Sequence, residues 1–138
     1  MVALGQYDLA GNDVVTRSIQ VGGQRSGQYP ATPAAVTQAT NRTTGVTINA
    51  LTGTITTNNA SLAAEASAAF VVTNSFVSAN DIILISQKSG SNGGGTDVTV
   101  TTVAAGSFTL NVTNNNVAAG TAETGAILIT FAVVKVQG

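Results

Sequence analysis

The side chains of this chain that could do chemistry are few, and most of them are carboxylates. Asp81, Asp97, Glu65 and Glu123 could supply the pair that glycoside hydrolysis sets across a sugar. Each of the four falls in or beside an expected turn, where a carboxylate is ordinarily solvated or caps the backbone. Ser86, Lys88 and Ser89 place serines beside a lysine, the makings of a nucleophile and its base. The same residues at the end of a strand are ordinary solvent-facing groups, and that reading outweighs the catalytic one. The run SGSNGGGTD, residues 89–97, is rich in glycine but lacks the Lys and Ser/Thr that complete a phosphate-binding loop, and it opens no helix. It reads as a hairpin tip. Asp97, Asn92 and backbone carbonyls are oxygen ligands of the kind calcium takes, short of the roughly six to eight it requires. The chain has no histidine and no cysteine, which removes the commonest acid, base and metal ligand together with disulfides and thiolate zinc sites. The expectation from these residues is no enzyme, no cofactor and no metal.

Composition bounds the alternatives. A chain of 138 residues holds one domain with a real core and one extended appendage. Its residues are 43% hydrophobic and 8% charged, far fewer charges than dispersed proteins use to stay apart. Threonine, asparagine, serine and glutamine are left to cover the outside. Such a surface suits permanent assembly, because charged residues are depleted from the cores of contacts. A formal net charge of −1 with five scattered basic residues gives no concentrated basic footprint for nucleic acid. The N-terminal MVALGQYDLAGNDVVTR has no basic start followed by an apolar stretch, so no export signal is expected, and no run reaches membrane-spanning length. Sequons at Asn41, Asn59 and Asn111 are what chance gives in a chain this rich in Asn and Thr.

The two prolines, Pro30 and Pro33, divide the chain. Residues 1–35 are interrupted by glycines and read as an extended arm. Within them, VVTRSIQV at 14–21 alternates like a strand, which could add to a neighbour's sheet or serve as the first strand of the chain's own domain. Tyr7, Arg17, Arg25 and Tyr29 are the arm's candidate docking side chains. Residues 36–138 break into short apolar runs separated by turn residues, the texture of a β-sandwich. Strands are expected at 36–40, 45–49, 53–57, 68–74, 81–88, 97–103, 107–113 and 126–136. The clearest alternation points Phe108, Leu110 and Val112 inward and Thr109, Asn111 and Thr113 outward, with threonine suited by its stiff χ1 to a pleated surface. ASLAAEASAAF, residues 60–70, is alanine-rich and could make a short helix capped by Asn58 or Asn59, a single turn, or an irregular crossover.

Two strands depart from alternation. DIILIS (81–86) and AILITFAVVKV (126–136) are apolar on successive residues, so both faces need cover. One face meets the opposite sheet; the other is covered by the arm, by a loop or by another subunit, since an exposed apolar patch associates. Ile127, Ile129, Phe131 and Val133 are the candidate oligomer-interface residues on this reading. The alternative is a central strand covered within its own chain.

The succession NRTTGVTIN, LTGTITT, AAFVVTNSFV and NDIILIS, followed by the glycine-rich loop, TVAAGSFTLNVTN and a closing AILITFAVV, resembles a module of tailed-phage virion proteins. That module occurs in head-decoration, fibre and tail-associated proteins, and the resemblance spans residues 36–138. It implies an all-β fold, an antiparallel, jelly-roll-like β-sandwich that assembles as a homotrimer, with the N-terminal arm outside the match and available to hold a capsid shell. On this resemblance the chain is expected to be a capsid decoration or cement protein on the exterior of a phage head. Its partners would be the major capsid protein and itself, with no nucleic acid and no membrane, and it would assemble in the host cytoplasm. A tail-fibre or receptor-binding module recognising a host glycan is the competing expectation. The absence of tryptophan, and the placement of Phe70, Phe76, Phe108 and Phe131 in apolar strand contexts, weigh against it.

Overall fold

The computed structural model describes residues 34–92, 95–117 and 120–136. The arm's residues 1–33, with Tyr7, Arg17, Arg25, Tyr29 and the strand expected at 14–21, lie outside the described residues.

Among the described residues eight strands form: β1 (Ala34–Thr37), β2 (Val46–Thr47), β3 (Thr52–Thr56), β4 (Ser67–Thr73), β5 (Ile82–Ser89), β6 (Thr96–Ala104), β7 (Ser107–Asn114) and β8 (Leu128–Val134). They make two four-stranded sheets packed face to face, in the orders β1-β3-β8-β5 and β2-β4-β7-β6. The fold is an all-β sandwich, as the alternating texture predicts. Two edge pairings, β1 with β3 and β2 with β4, are parallel, whereas every other ladder is antiparallel. Parallel neighbours require the chain to cross between sheets instead of turning back in a hairpin. Here β1 and β3 flank the short β2 of the opposite sheet, so the chain changes sheet twice within residues 34–56.

The alternation seen in the sequence becomes the packing. In β4, Ala68, Phe70 and Val72 turn inward and their neighbours outward; in β7, Phe108, Leu110, Val112 and Asn114 do the same. The two strands pair directly, Phe70 with Leu110 and Val72 with Phe108. From the other sheet come Ile55, Ile83, Ile129, Phe131 and Val133. The Phe108 and Phe131 rings meet across the interior, 5.5 Å between centroids and tilted by 53°. Each such side chain contributes about 1.5–3 kcal/mol by leaving water.

The alanine-rich segment makes no helix. Leu62 forms an isolated antiparallel bridge with Glu123, a turn follows with Glu65 at φ +61°, and strand β4 has begun by Ser67. Burial of Leu62, Ala68 and Phe70 against the core outweighs alanine's weak helical preference.

The polar residues do not all stay outside. Asn74 and Asn114 are fully buried, as is Thr57, and Gln38 nearly so. They terminate backbone that leaves the sheets. Asn74 donates to the Ala50 carbonyl and accepts from the Phe76 N–H. Asn114 donates to the carbonyls of Leu62 and Thr121 and accepts from the Asn116 N–H. Gln38 donates to the carbonyls of Arg42 and Thr44 and accepts from the Asn58 N–H. A buried carbonyl or N–H left unpaired is costly, and short amides satisfy several at once. Part of this chain's asparagine content is therefore interior framework.

Candidate functional site

Two features stand apart from the rest of the sandwich, a buried polar hub at one end and an exposed apolar corner at the other end of β5 and β8.

The hub is built on Glu123, in the segment leading into β8. Its side chain is 0% exposed. Oε2 accepts from Ser91 Oγ at 2.5 Å and Thr96 Oγ1 at 2.6 Å; Oε1 accepts from the Gly125 N–H at 2.7 Å and the Asn92 N–H at 2.9 Å. Burial by itself raises a carboxyl's pKa, but these donors outweigh it and hold Glu123 at about 2, well below the ordinary carboxylate range. The group is a fixed anion. Beside it, Arg42 is buried and donates to the Ala60 carbonyl at 2.5 Å, to Thr57 Oγ1 at 3.3 Å, and to the carbonyls of Glu123 and Gly125 at 3.2 and 2.9 Å. Desolvation lowers the Arg42 pKa, and the charge of Glu123 opposes that shift. Asn92 completes the arrangement, donating to Thr124 Oγ1 and accepting from the Thr124 N–H. These bonds tie the segment before β8 to the end of β5, the start of β6 and the loop between β1 and β2. Their function is positional, since every named oxygen of the carboxylate is engaged by a donor of the fold.

Gly90 and Gly125 make this crossing possible. Gly90 sits at φ +98°, and a Cβ on Gly125 would fall on the Gly90 carbonyl oxygen. Backbone atoms cannot swing aside as a side-chain tip can. Gly125→Ala is therefore expected to cost about 3 kcal/mol by overpacking, measured as a lower urea midpoint, whereas Gly106→Ala, where the site is open, loses only through its φ of +84°.

The other carboxylates named in the sequence are dispersed. Asp81 accepts from the Ser78 N–H at 2.7 Å and pairs with Lys135 at 2.5 Å, and these bonds lower its pKa. Lys135 also donates to the Phe76 carbonyl, and the Val136 N–H donates to Asp81, so the pair latches the end of β8 to the start of β5. Asp97 is exposed and accepts from Asn115 Nδ2 at 2.8 Å, while Asn92 is committed to the hub. Glu65 is exposed on its turn, and Ser86, Lys88 and Ser89 lie exposed along β5. Among the described residues no group of three or more His, Cys, Asp or Glu side chains gathers into a metal set.

The interface expected on β8 is corrected by the burial. Ile127, Ile129, Phe131 and Val133 face the interior of their own chain and are 0, 0, 1 and 8% exposed. They are core, and the central-strand alternative is the one realised: β8 lies between β3 and β5. The exposed apolar surface is on the opposite face. Outside β5, Ile82 and Leu84 are 52 and 55% exposed. Val134 stands beside Ile82, and Ala132 beside Leu84. Val136, whose N–H is bonded to Asp81, is also exposed there, while Leu51, whose carbonyl accepts from the Val133 N–H, is exposed just before β3. Phe76, expected in an apolar strand context, occupies the turn after β4 and is 50% exposed, and its carbonyl accepts from Lys135 Nζ at this end of β8. A depression of about 260 Å³ lies where the small Ala132 separates Leu84 from Thr52.

The sequence held the signal for this corner in the doubly apolar DIILIS run, but gave the wrong strand for the exposed residues. Arg42 and the burial of Glu123 carried no local signal, because their partners lie up to 83 positions away. Comparison of the chain with protein-family models, with curated proteins and with solved structures gave no match in any of the three.

Proposed function

We propose that this chain is a structural component of a phage virion, a decoration or cement protein that binds the outside of the head as a homotrimer. The observation that carries this reading is the near absence of charge on the sandwich surface. Among the described residues only Glu65, Lys88, Asp97 and Lys135 place charge there, and Lys135 is paired with Asp81. A freely dispersed domain of this size keeps far more. A surface of threonine, serine, asparagine and exposed aliphatic groups is suited to permanent contact with like surfaces. The buried ionic groups support the same reading, since Glu123 and Arg42 are spent on holding the sandwich together.

In this proposal the sandwich forms the body of the assembly and the arm, through Tyr7, Arg17, Arg25 and Tyr29, grips the major capsid protein. Modest affinity per copy suffices where many copies bind one shell. Deletion of residues 2–30 is expected to leave an assembled protein that no longer sediments with heads; co-sedimentation retained at the level of the full chain would remove the docking role from the arm. One observation favours a second reading, a receptor-binding module: Phe76 is an exposed aromatic of the kind on which sugar faces stack. Specific, Phe76-dependent signal on a glycan array would rank that reading first.

A further inference from the structure

We infer that the apolar corner formed by Phe76, Ile82, Leu84, Val134 and Val136 is the surface on which a second copy of this chain seats. The inference rests on the reading of the chain as an assembly component and names the contact through which it assembles.

Among the described residues, four of the eight exposed large hydrophobic residues, Ile82, Leu84, Val134 and Val136, lie along the paired ends of β5 and β8, Phe76 and Leu51 are tied to the same end through their carbonyls, and Val71 and Val117 stand elsewhere. Their proximity is fixed by backbone bonds and register: Val134 beside Ile82, Leu51 bonded to Val133, and Lys135 bonded to Phe76. Half-exposed side chains of this size present together on the order of 500 Å² of apolar surface, the upper end of what monomers carry. A stable pairing buries roughly 800 Å² per partner. The corner thus supplies the apolar centre of such a contact, and the flanking Thr52, Thr130 and Ser86 supply a polar rim.

Electrostatics selects the occupant. The charges at the corner are Lys135 and Asp81, already neutralising one another, with Asp81 buried. A patch with no net charge can face a copy of itself without repulsion, and it offers nothing to steer an acidic or basic partner. Shape agrees: the depression over Ala132 is flanked by the projecting Leu84, so that a projecting Leu84 or Phe76 from another copy has a recess to enter. The same patch can converge with its copies about a two-fold or a three-fold axis.

The test uses the full chain. Light scattering after size exclusion is expected to give a multiple of the 13.7 kDa chain mass. Ile82→Glu and Leu84→Glu each are expected to raise the concentration for half-assembly by about 30-fold or more, the loss of a central anchor. Val71→Glu, on the outside of the other sheet, is expected to leave it unchanged. Wild-type protein that is monomeric, or variants that assemble like wild type, would overturn the inference. Should a glutamate variant misfold, a photo-crosslinking residue at position 84, in mixed isotope-labelled and unlabelled chains, gives an independent answer. Cross-links joining labelled to unlabelled corner peptides support it; cross-links confined to residues 1–33 of the same chain, or none, overturn it. Assembly through the corner with no affinity for phage heads would sink the virion reading while leaving this interface standing, and head binding by a monomer would do the reverse.

Discussion

Glu123→Leu is expected to destabilise the sandwich by about 3–5 kcal/mol, the range found when one partner of a buried charged network is removed. The donors are what make the loss large. Ser91 and Thr96 can rotate their hydroxyls toward other acceptors, but the N–H groups of Asn92 and Gly125 are fixed in the backbone and would be left buried and unpaired. Arg42 would also lose the nearby anion that opposes its desolvation. In thermal unfolding the change should appear as a fall in Tm on the order of 15 °C. Glu123→Gln makes the contrast: its amide oxygen can take the place of Oε1 and its NH₂ can donate to the two hydroxyls, so about 1 kcal/mol is lost. The two variants also separate charge from shape. With the folded carboxyl at about 2, below its ordinary value of 4.5, the ionised form stabilises the fold above pH 4.5, and that contribution drains away as pH falls toward 2. Wild type should therefore lose more stability between pH 6 and pH 3 than Glu123→Gln, which retains only the smaller dependence from Asp81. Equal losses would mean that the hub charge does not contribute.

Phe131→Ala is expected to cost about 3–5 kcal/mol, from lost transfer energy together with the cavity left between the sheets. Phe131 projects from β8, at the centre of one sheet, onto Phe108 of β7 in the other. Gly53, opposite it on β3, leaves room for the ring, since a Cβ there would lie 3.0 Å from Cε1. The Ile48 side chain is the neighbour on that side, its Cδ1 2.8 Å from the same Cβ position, and Gly53 has no side chain of its own to fill the space. A double-mutant cycle with Phe108→Ala, read by urea denaturation, should give a combined loss smaller than the two single losses together, because each truncation removes the same ring contact. Strict additivity would show that the rings stabilise the two sheets independently. Because Ile127, Ile129, Phe131 and Val133 line the core, these changes should unfold the domain before they alter any assembly.

The strands were legible because each carries its own pattern. Phe108, Leu110 and Val112 alternate with Thr109, Asn111 and Thr113, and that local period survives into the packed β7. In β8 the pattern was not decisive. Both faces of AILITFAVV are hydrophobic, and a period-two strand does not say which face meets its own core. Pairing with β3 and β5 decided it, sending Ile129, Phe131 and Val133 inward and leaving Ile82 and Leu84 of the neighbouring strand outside. Glu123 looked like a turn carboxylate because its sequence neighbours, Ala122, Thr124 and Gly125, are small or polar. Its burial depends on donors from residues 91–96 and on Arg42, none of them local.

By itself, the sequence determined the class of fold, the approximate positions of the strands among the described residues, the poverty of charge and the lack of histidine and cysteine chemistry. These follow from composition and from short-range periodicity, which act within a few residues. The tertiary structure alone decided which face of each doubly apolar strand is core, that two edge pairings run parallel, that Arg42 and Glu123 are interior framework, and that exposed apolar residues of β5 and of the end of β8 lie side by side. Those outcomes depend on contacts closed over tens of residues, where burial and hydrogen-bond satisfaction are settled by the whole sandwich together.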